Sequence, residues 1–246
     1  MLTADIHWHV EEVACVDSTQ DALKVRAEEG APEGFVVQAG SQRCGRGRHG
    51  REWHSPKGNL YMSLLLRPAC KARDIGQLSL LSALAFAEAL SESLGDSKLL
   101  TLKWPNDILL DGRKCAGLIL ETQIGAGGRI EWLVIGVGVN IAVSPLEAGV
   151  CLSDFTKAPV SVSQIRDSFL DNFSKLYGEW RAEGFEPVRA AWLSYAHPPG
   201  AALSVKIGQD HRAGTFHTID EQGNLLLQMP GYGIQTIAAG EVYLEP

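Results

Sequence analysis

The sequence has no apolar run approaching the roughly 18 residues needed to cross a bilayer, and its first residues, MLTADIHWHVEE, show no basic stretch followed by an apolar core. A soluble, unexported chain is expected. The five cysteines (Cys15, Cys44, Cys70, Cys115 and Cys151) are odd in number and scattered, with no Cys-x-x-Cys pair. That pattern indicates neither a disulfide framework nor a zinc knuckle and points to the reducing cytoplasm. Positive charge is also in deficit, with 22 Lys and Arg against 29 Asp and Glu and a net charge of -7. Such a balance argues against non-specific duplex binding over the whole surface, while leaving room for a local basic site. There is no P-loop, no dinucleotide-binding glycine fingerprint, no Gly-x-Ser-x-Gly elbow and no Ser-His-Asp order, so nucleophilic hydrolysis has no support. His7 and His9 could share one side of a strand, but no third metal ligand stands near them.

What is present is an ordinary globular composition. With 246 residues and 45% hydrophobic content, one large domain, or one large and one small, is expected. A chain of this size buries roughly 70 to 75% of its unfolded surface, which excludes disorder, collagen and disulfide miniproteins. Residues 6–16 read as a strand, and Asp17-Ser18-Thr19 offers capping oxygens to a helix ending at Gly30. Residues 35–37 read as a short buried strand and 59–66 as another. Between them, residues 40–58 carry five glycines and almost no apolar periodicity, the texture of a long functional loop. Helical spacing predicts a helix over 77–94 with Gly95 as its stop. Strands are expected at 99–104, 117–122 and 132–139, the last two joined by a glycine hairpin at 125–128. Ser161 to Gln164 can cap a helix through Tyr177, and a second helix follows around 188–195. Beyond the linker His197-Pro198-Pro199-Gly200, short alternating runs at 203–207, 214–219, 225–228 and 241–244 have the pattern of a small β-barrel of roughly 45 residues.

Three constellations can carry chemistry. Residues 43–57, RCGRGRHGREWHSPK, hold Arg43, Arg46, Arg48, Arg51 and Lys57 against the single acid Glu52. Glycines at 45, 47 and 50 let backbone amides approach an anion, and arginines supply forked donors matched to phosphate or carboxylate. A solvated flexible loop and an RNA-contacting tract remain alternatives. Trp53 adds an indole able to stack on a base, although most tryptophans are simply packed. In Lys103-Trp104-Pro105-Asn106-Asp107, Pro105 ends an apolar strand and the following polar residues would project into a cleft; a plain turn is the alternative. Lys114 and Gly117 flank the start of the next strand. In Ile135-Gly136-Val137-Gly138-Val139-Asn140, alternating glycines leave room for a ligand or another backbone, or mark a bulge.

In their order along the chain these motifs resemble the biotin protein ligases. The resemblance rests on Asp17-Ser18-Thr19, the loop from Gln42 to Arg51 with Trp53, Ser55 and Pro56, Asn59-Leu60-Tyr61, Lys103 to Asp107, Lys114-Cys115-Ala116-Gly117, and Gly136 to Asn140. The tail, with Gly223-Asn224 and Gly240-Glu241-Val242 and acidic at Glu241 and Glu245, is similar to that family's small C-terminal domain. The residue that follows the first motif is Gln20, where the family often carries Asn.

The resemblance implies an α+β fold. A mixed-sheet ligase domain with packed helices would span residues 1–198 and an SH3-like β-barrel residues 199–246. It implies joining of biotin to ATP, release of pyrophosphate, and transfer of the biotinyl group from biotinyl-5'-AMP to a lysine of the biotin carboxyl carrier protein of acetyl-CoA carboxylase. Ser18, Thr19 and Gln42 would bond the ureido head, with Gln20 and Gly117 also on the biotin side. Arg46, Gly47 and Arg48 would wrap the carboxylate and phosphate, and Lys114 would neutralise charge developing between them. Trp53 would stack on adenine, with Asn140, Arg51, Lys103 and Asn106 on the ATP side, and Asp107 would orient magnesium or the incoming amine. A monomer or weak homodimer is expected. Only 17 residues precede Ser18, so a DNA-binding helix-turn-helix and a repressor role are not expected. The loop 41–57 is expected to be mobile until ligand binds. A lipoate or octanoate ligase is the rival enzyme, and a non-catalytic nucleotide- or RNA-binding protein the rival of another class.

Overall fold

The computed structural model describes residues 6–145 and 149–244. Its elements are β1 (His9–Val13), α1 (Thr19–Glu28), β2 (Phe35–Ala39), β3 (Leu60–Leu66), α2 (Ile75–Leu94), β4 (Leu100–Lys103), β5 (Asp107–Leu110), β6 (Arg113–Ile124), β7 (Ile130–Val139), α3 (Val162–Glu183) and α4 (Glu186–Tyr195). Then follow β8 (Ala202–Ile207), β9 (Asp210–Ile219), β10 (Leu225–Met229), β11 (Gly233–Ile237) and β12 (Glu241–Leu244). The first group of strands forms one seven-stranded sheet in the order β1-β2-β3-β7-β6-β5-β4. Only β1 and β2 run parallel, so the sheet is mixed. The remaining strands make a five-stranded antiparallel sheet in the order β11-β10-β9-β8-β12.

The apolar patterning explains the layers. Strand β3 is buried along its whole length because helices cover both faces of the sheet at that point. Leu64 and Leu66 pack toward α2 and α3, whereas Leu65 meets Leu23 and Ala27 of α1 together with Val37, Trp132 and Val134. Helix α1 starts where Ser18, in extended backbone, accepts from the Asp21 N–H at 3.3 Å. Helix α2, buried over most of its surface, stops at Gly95 in the left-handed region (φ 71°).

Several elements differ from the sequence reading. Strand β1 is shorter than 6–16, because the chain from Val16 leaves the sheet to make an isolated bridge with Gln42. Two strands, β5 and β11, are not anticipated. Each is short and follows a turn too tight to separate two runs by composition. Strand β6 begins at Arg113, so Lys114 lies on the strand and does not flank its start. The region 40–58 folds back on itself through the isolated bridges Gln42–Ser55 and Arg46–Glu52, with a tight turn at Arg48–Gly50. Glu245 lies outside the described residues. Among the described residues, no helix is long and apolar enough to cross a membrane.

Candidate active site

The sheet face that carries α1 becomes bare beyond the start of that helix. Register places Ser63 of β3, Gly136 and Gly138 of β7 and Gly117 and Ile119 of β6 side by side on this face. With three glycines and a serine where neighbouring positions carry Leu, Val or Ile, the sheet offers a shallow floor. The loop Gln42 to Ser55 roofs it, and the β4–β5 hairpin and β12 wall it. The cavity between them is about 240 Å³. Among the residues bordering it are Ser18, Thr19, Gln20, Gln42, Arg46, Gly47, Arg48, Arg51, Trp53, Lys103, Asn106, Asp107, Lys114 and Gly117, drawn from separated parts of the chain.

One end of the cavity is neutral and dense in hydrogen-bonding groups. Gln42 Oε1 accepts from the Thr19 N–H at 2.9 Å and from the Thr19 hydroxyl at 3.2 Å, while Gln42 Nε2 donates to Ser55 Oγ at 2.9 Å. Ser63 Oγ lies 3.0 Å from Thr19 Oγ1 and 3.1 Å from Gln20 Oε1, and Gln20 Nε2 donates to the Val134 carbonyl at 3.1 Å. Ser18, Thr19, Gln20 and Ser63 are all buried. Polar groups in such a place are satisfied by one another or by a ligand.

The other end is cationic. Asp107 receives Lys114 Nζ on one oxygen at 2.6 Å and has Lys103 Nζ 3.2 Å from the other. Burial pulls its carboxyl upward, but Lys114 and Lys103 outweigh that and hold it below the usual carboxylate range. Lys103 also donates to the Val242 carbonyl at 3.0 Å. Arg48 donates to Asn106 Oδ1 at 2.8 Å and to the Gly240 carbonyl at 3.2 Å. Burial lowers the Arg48 guanidinium pKa and Arg51 adds to this, against the pull of Asp107, although arginine stays protonated throughout the working range. Among the described residues, Arg48 is the one cation of the cavity whose hydrogen-bond partners are all neutral. Arg46 pairs with Asp21 and Glu121, and Arg51 with Glu241.

Trp53 joins the two ends. A Cβ on Gly138 would lie 2.5 Å from its Cε2 and Nε1, and one on Gly117 would lie 3.4 Å from its Cζ3, so the indole rests on the glycine floor. Lys114 Nζ stands 5.4 Å from the ring centroid, within cation–π range. The Trp53 Nε1–H is buried with no acceptor among the described residues. The room left by the alternating glycines is therefore taken by this chain's own side chains, Trp53 at Gly138 and Gln20 at Gly136.

One candidate is not brought to the cavity. Asn140 is buried, its Nδ2 donating to the Val150 carbonyl at 3.3 Å and its backbone N–H to the Cys115 carbonyl. It lies one residue beyond β7, where the chain leaves the sheet and the side chain bonds the Val150 carbonyl instead of following the strand's alternation. Sequence reasoning also missed residues that matter here. Ser63 carries a visible signal, a single hydroxyl inside the apolar run Leu60–Leu66. Glu121, Asp21 and Glu241 carry none, since an isolated acid looks the same in a solvated turn. The small sheet also enters the site directly, with Glu241, Val242 and Tyr243 bordering the cavity.

The chain matches the Biotin/lipoate A/B protein ligase family over residues 12–140. It is 39% identical over 242 residues to a biotin–[acetyl-CoA-carboxylase] ligase of Paracoccus denitrificans, covering 94% of this chain and 98% of that protein. A solved structure of the biotin protein ligase from Aquifex aeolicus in complex with biotin and ATP superposes with a TM-score of 0.81 at 27% identity, covering 96% of this chain and 98% of that one. The biotin protein ligase from Leishmania major in complex with biotinyl-5-AMP gives a TM-score of 0.66 at 25% identity, over 94% and 98% of the two chains.

Proposed function

The chain belongs to the biotin/lipoate A/B protein ligase family, and from that membership we propose that it activates biotin with ATP as biotinyl-5'-AMP and passes the biotinyl group to a lysine of a biotin carboxyl carrier protein. The observation that carries this reading is the two-ended cavity. Biotin has a neutral ureido head able to donate and accept, an apolar body and a carboxylate tail. The Thr19, Gln20, Gln42 and Ser63 groups suit the head; the Trp53 indole, expected from the resemblance to stack on adenine, lies on the glycine floor and suits the body instead; and Arg48 with Lys114 suits the carboxylate and the α-phosphate. A dithiolane ring, as in lipoate, would cover these buried polar groups without returning their hydrogen bonds, a substitution that costs discrimination heavily. That favours biotin within the family. The rival reading of the arginine loop as an RNA tract loses ground because Arg46, Arg48 and Arg51 are bonded within the chain.

Attack of one anion on another requires alignment and fixed positive charge more than a protein nucleophile. Arg48 is poised to draw both anions together, and Lys114, steadied by Asp107, meets the charge that develops as the carboxylate oxygen bonds to the α-phosphate and pyrophosphate leaves. Arg51, Lys103 and Asn106 border the nucleotide side. With two lysines on its two oxygens, Asp107 does not suit direct ligation of magnesium. Magnesium then belongs to the substrate, as the counter-ion of the ATP phosphates. In the transfer step the carrier amine displaces AMP from the mixed anhydride, and the loop with β12 keeps water from doing so first.

We divide the chain into a ligase domain, 1–198, and an SH3-like C-terminal domain, 199–246, and place the protein in the cytoplasm with a carrier of acetyl-CoA carboxylase as its partner, as a monomer or weak homodimer. Purified protein incubated with a carrier domain, magnesium ATP and either biotin or lipoate tests the reading. The expected result is pyrophosphate release and a carrier mass gain equal to one biotinyl group with biotin alone. Acylation by lipoate at an equal rate would overturn it.

A further inference from the structure

The loop is held to the rest of the protein at two separate places. At its tip, Arg51 pairs with Glu241 of β12 and Arg48 bonds the Gly240 carbonyl. At its shoulder, Arg46 reaches in the opposite direction, to Asp21 of α1 through Nη1 and to Glu121 of β6 through Nη2 at 2.8 Å. The same Glu121 oxygen takes Lys24 Nζ of α1 at 3.3 Å. Two cations and two carboxylates from three parts of the chain thus converge, and their charges cancel. Glu121 is the hub, with its side chain 23% exposed. Its position also has a geometric cause. Glu121 pairs with Val134 and lies on the same sheet face as Ile119, so it stands beside Gln20, one strand position outside the residues that border the cavity.

The two arginines differ in what an incoming anion would cost them. Arg48 has neutral partners and can meet an anion without breaking an ion pair, whereas Arg46 would have to leave two carboxylates. Building on the ligase reading above, we propose that Glu121 is a positioning residue that acts through Arg46, pinning the shoulder of the glycine-rich loop to β6 and α1 so that the loop stays over the biotin end of the cavity while its tip opens and closes. The side chain of Arg46 is on this account an anchor, and Arg48 carries the anion-binding role. The tip can then move about a fixed shoulder, with Gly47 the one residue between Arg46 and Arg48, while the left-handed turn at His49 (φ 56°) and Gly50 (φ 73°) lies within the tip, between Arg48 and Arg51. The carboxyl of Glu121 is kept ionised, as an anchor for two cations requires. Burial pulls it up, but Gln20, Arg46 and Lys24 together hold it below its ordinary value.

The test uses the full chain loaded with biotinyl-5'-AMP from biotin and magnesium ATP, and follows release of the adenylate together with KM for biotin and kcat for pyrophosphate formation. Glu121→Gln keeps the shape and removes the charge. The expected result is adenylate release faster by about fivefold and a matching rise in KM, with kcat within about twofold, the size expected for losing the one partly exposed ion pair, Glu121 to Arg46, that holds the loop. In an Arg46→Ala background the same substitution should add nothing, since the two changes break one contact. A purely structural role would lower the thermal midpoint and kcat without moving release. Unchanged release, or an undiminished effect in the Arg46→Ala background, overturns the proposal. Should Glu121→Gln not fold, Asp21→Asn removes the exposed partner of the same guanidinium and should speed release by about twofold; no change there overturns the proposal equally. Failure of the unsubstituted protein to make pyrophosphate from biotin would strike the ligase reading instead.

Discussion

Replacing Lys114 by alanine tests the cationic end most directly. Its ammonium lies 2.6 Å from Asp107, 5.4 Å from the Trp53 centroid and within the cavity that would hold the reacting anions. A unit charge about 4 Å from a developing anion contributes about 4 kcal/mol at an effective dielectric of 20. Asp107 offsets part of this, although Lys103 on its second oxygen returns some of the field. A net loss of about 2 to 3 kcal/mol of transition-state stabilisation remains, roughly a hundredfold in the rate of adenylation. The substitution also leaves Asp107 with Lys103 alone among its two lysines, at a stability cost of about 1 to 3 kcal/mol. The sign of the pH dependence follows from the depressed carboxyl: the pairing stabilises the fold above the ordinary carboxylate range and is lost as pH falls through the folded value, so the stability gap between variant and parent should close in acid. Adding Asp107→Asn to the variant should recover stability without recovering rate. Biotin-dependent pyrophosphate exchange and denaturant melts at neutral and acid pH read both effects. Exchange within about threefold of the parent, or rate recovery in the double variant, would refute the assignment.

The other expectations can be measured on the same material. Arg48→Gly removes the cation whose partners are neutral oxygens and should release biotinyl-5'-AMP into solution, seen by mass spectrometry as biotinylation of bystander lysines; labelling confined to the carrier would contradict this. Gly138→Ala sets a Cβ 2.5 Å from the Trp53 indole, so the ring must shift. Biotin affinity should drop by about tenfold, with a stability loss of about 1 to 3 kcal/mol, read by calorimetry and tryptophan fluorescence. His197 sits between the two sheets, near Lys103, and burial followed by Lys103 depresses its pKa. The stability it contributes is therefore present above the ordinary imidazole value of about 6.5 and lost as pH falls below it, and His197→Gln should flatten the melting curve against pH in that window.

The helices and most strands are legible because their faces alternate between two different covers. Ser18 as a cap, Gly95 as a stop and the apolar spacing of 77–94 all act locally, so their signals lie within a few residues of the elements they shape. The cavity residues contributed by the ordered motifs are legible for a related reason, since arginine and glycine concentrated at 43–51 have few structural uses. What stays hidden depends on register. Asn140 shares the parity of Gly136 and Gly138 but lies one residue past the end of β7, where alternation no longer sets the side chain; Glu121 stands near the cavity's edge through a parity along β6 that composition does not encode, and its shared carboxylate is fixed only when α1 is laid across the sheet. The pairing of Arg51 with Glu241 joins residues far apart along the chain, where spacing carries no information.

The β4–β5 hairpin explains why the small sheet cannot be a passive appendage. Five consecutive residues face two ways. Trp104 enters the apolar core, where Leu102 on one side and Leu203, Phe216, Leu225 and Val242 on the other form one continuous cluster, and its Nε1 donates to the Gly223 carbonyl at 2.9 Å. Lys103, Asn106 and Asp107 turn into the cavity, and Lys103 is tied to β12 through the Val242 carbonyl. Burial of the tryptophan against β8 to β12 therefore sets where the lysine pair and the partner of Arg48 stand. Taking away residues beyond 198 would expose Leu102 and Trp104 to water and remove the acceptors of Trp104, Lys103 and one bond of Arg48 together. The cost falls first on the cationic end, because its three supports are lost at once, whereas the Thr19, Gln42 and Ser63 network keeps every partner within the larger sheet and its loop.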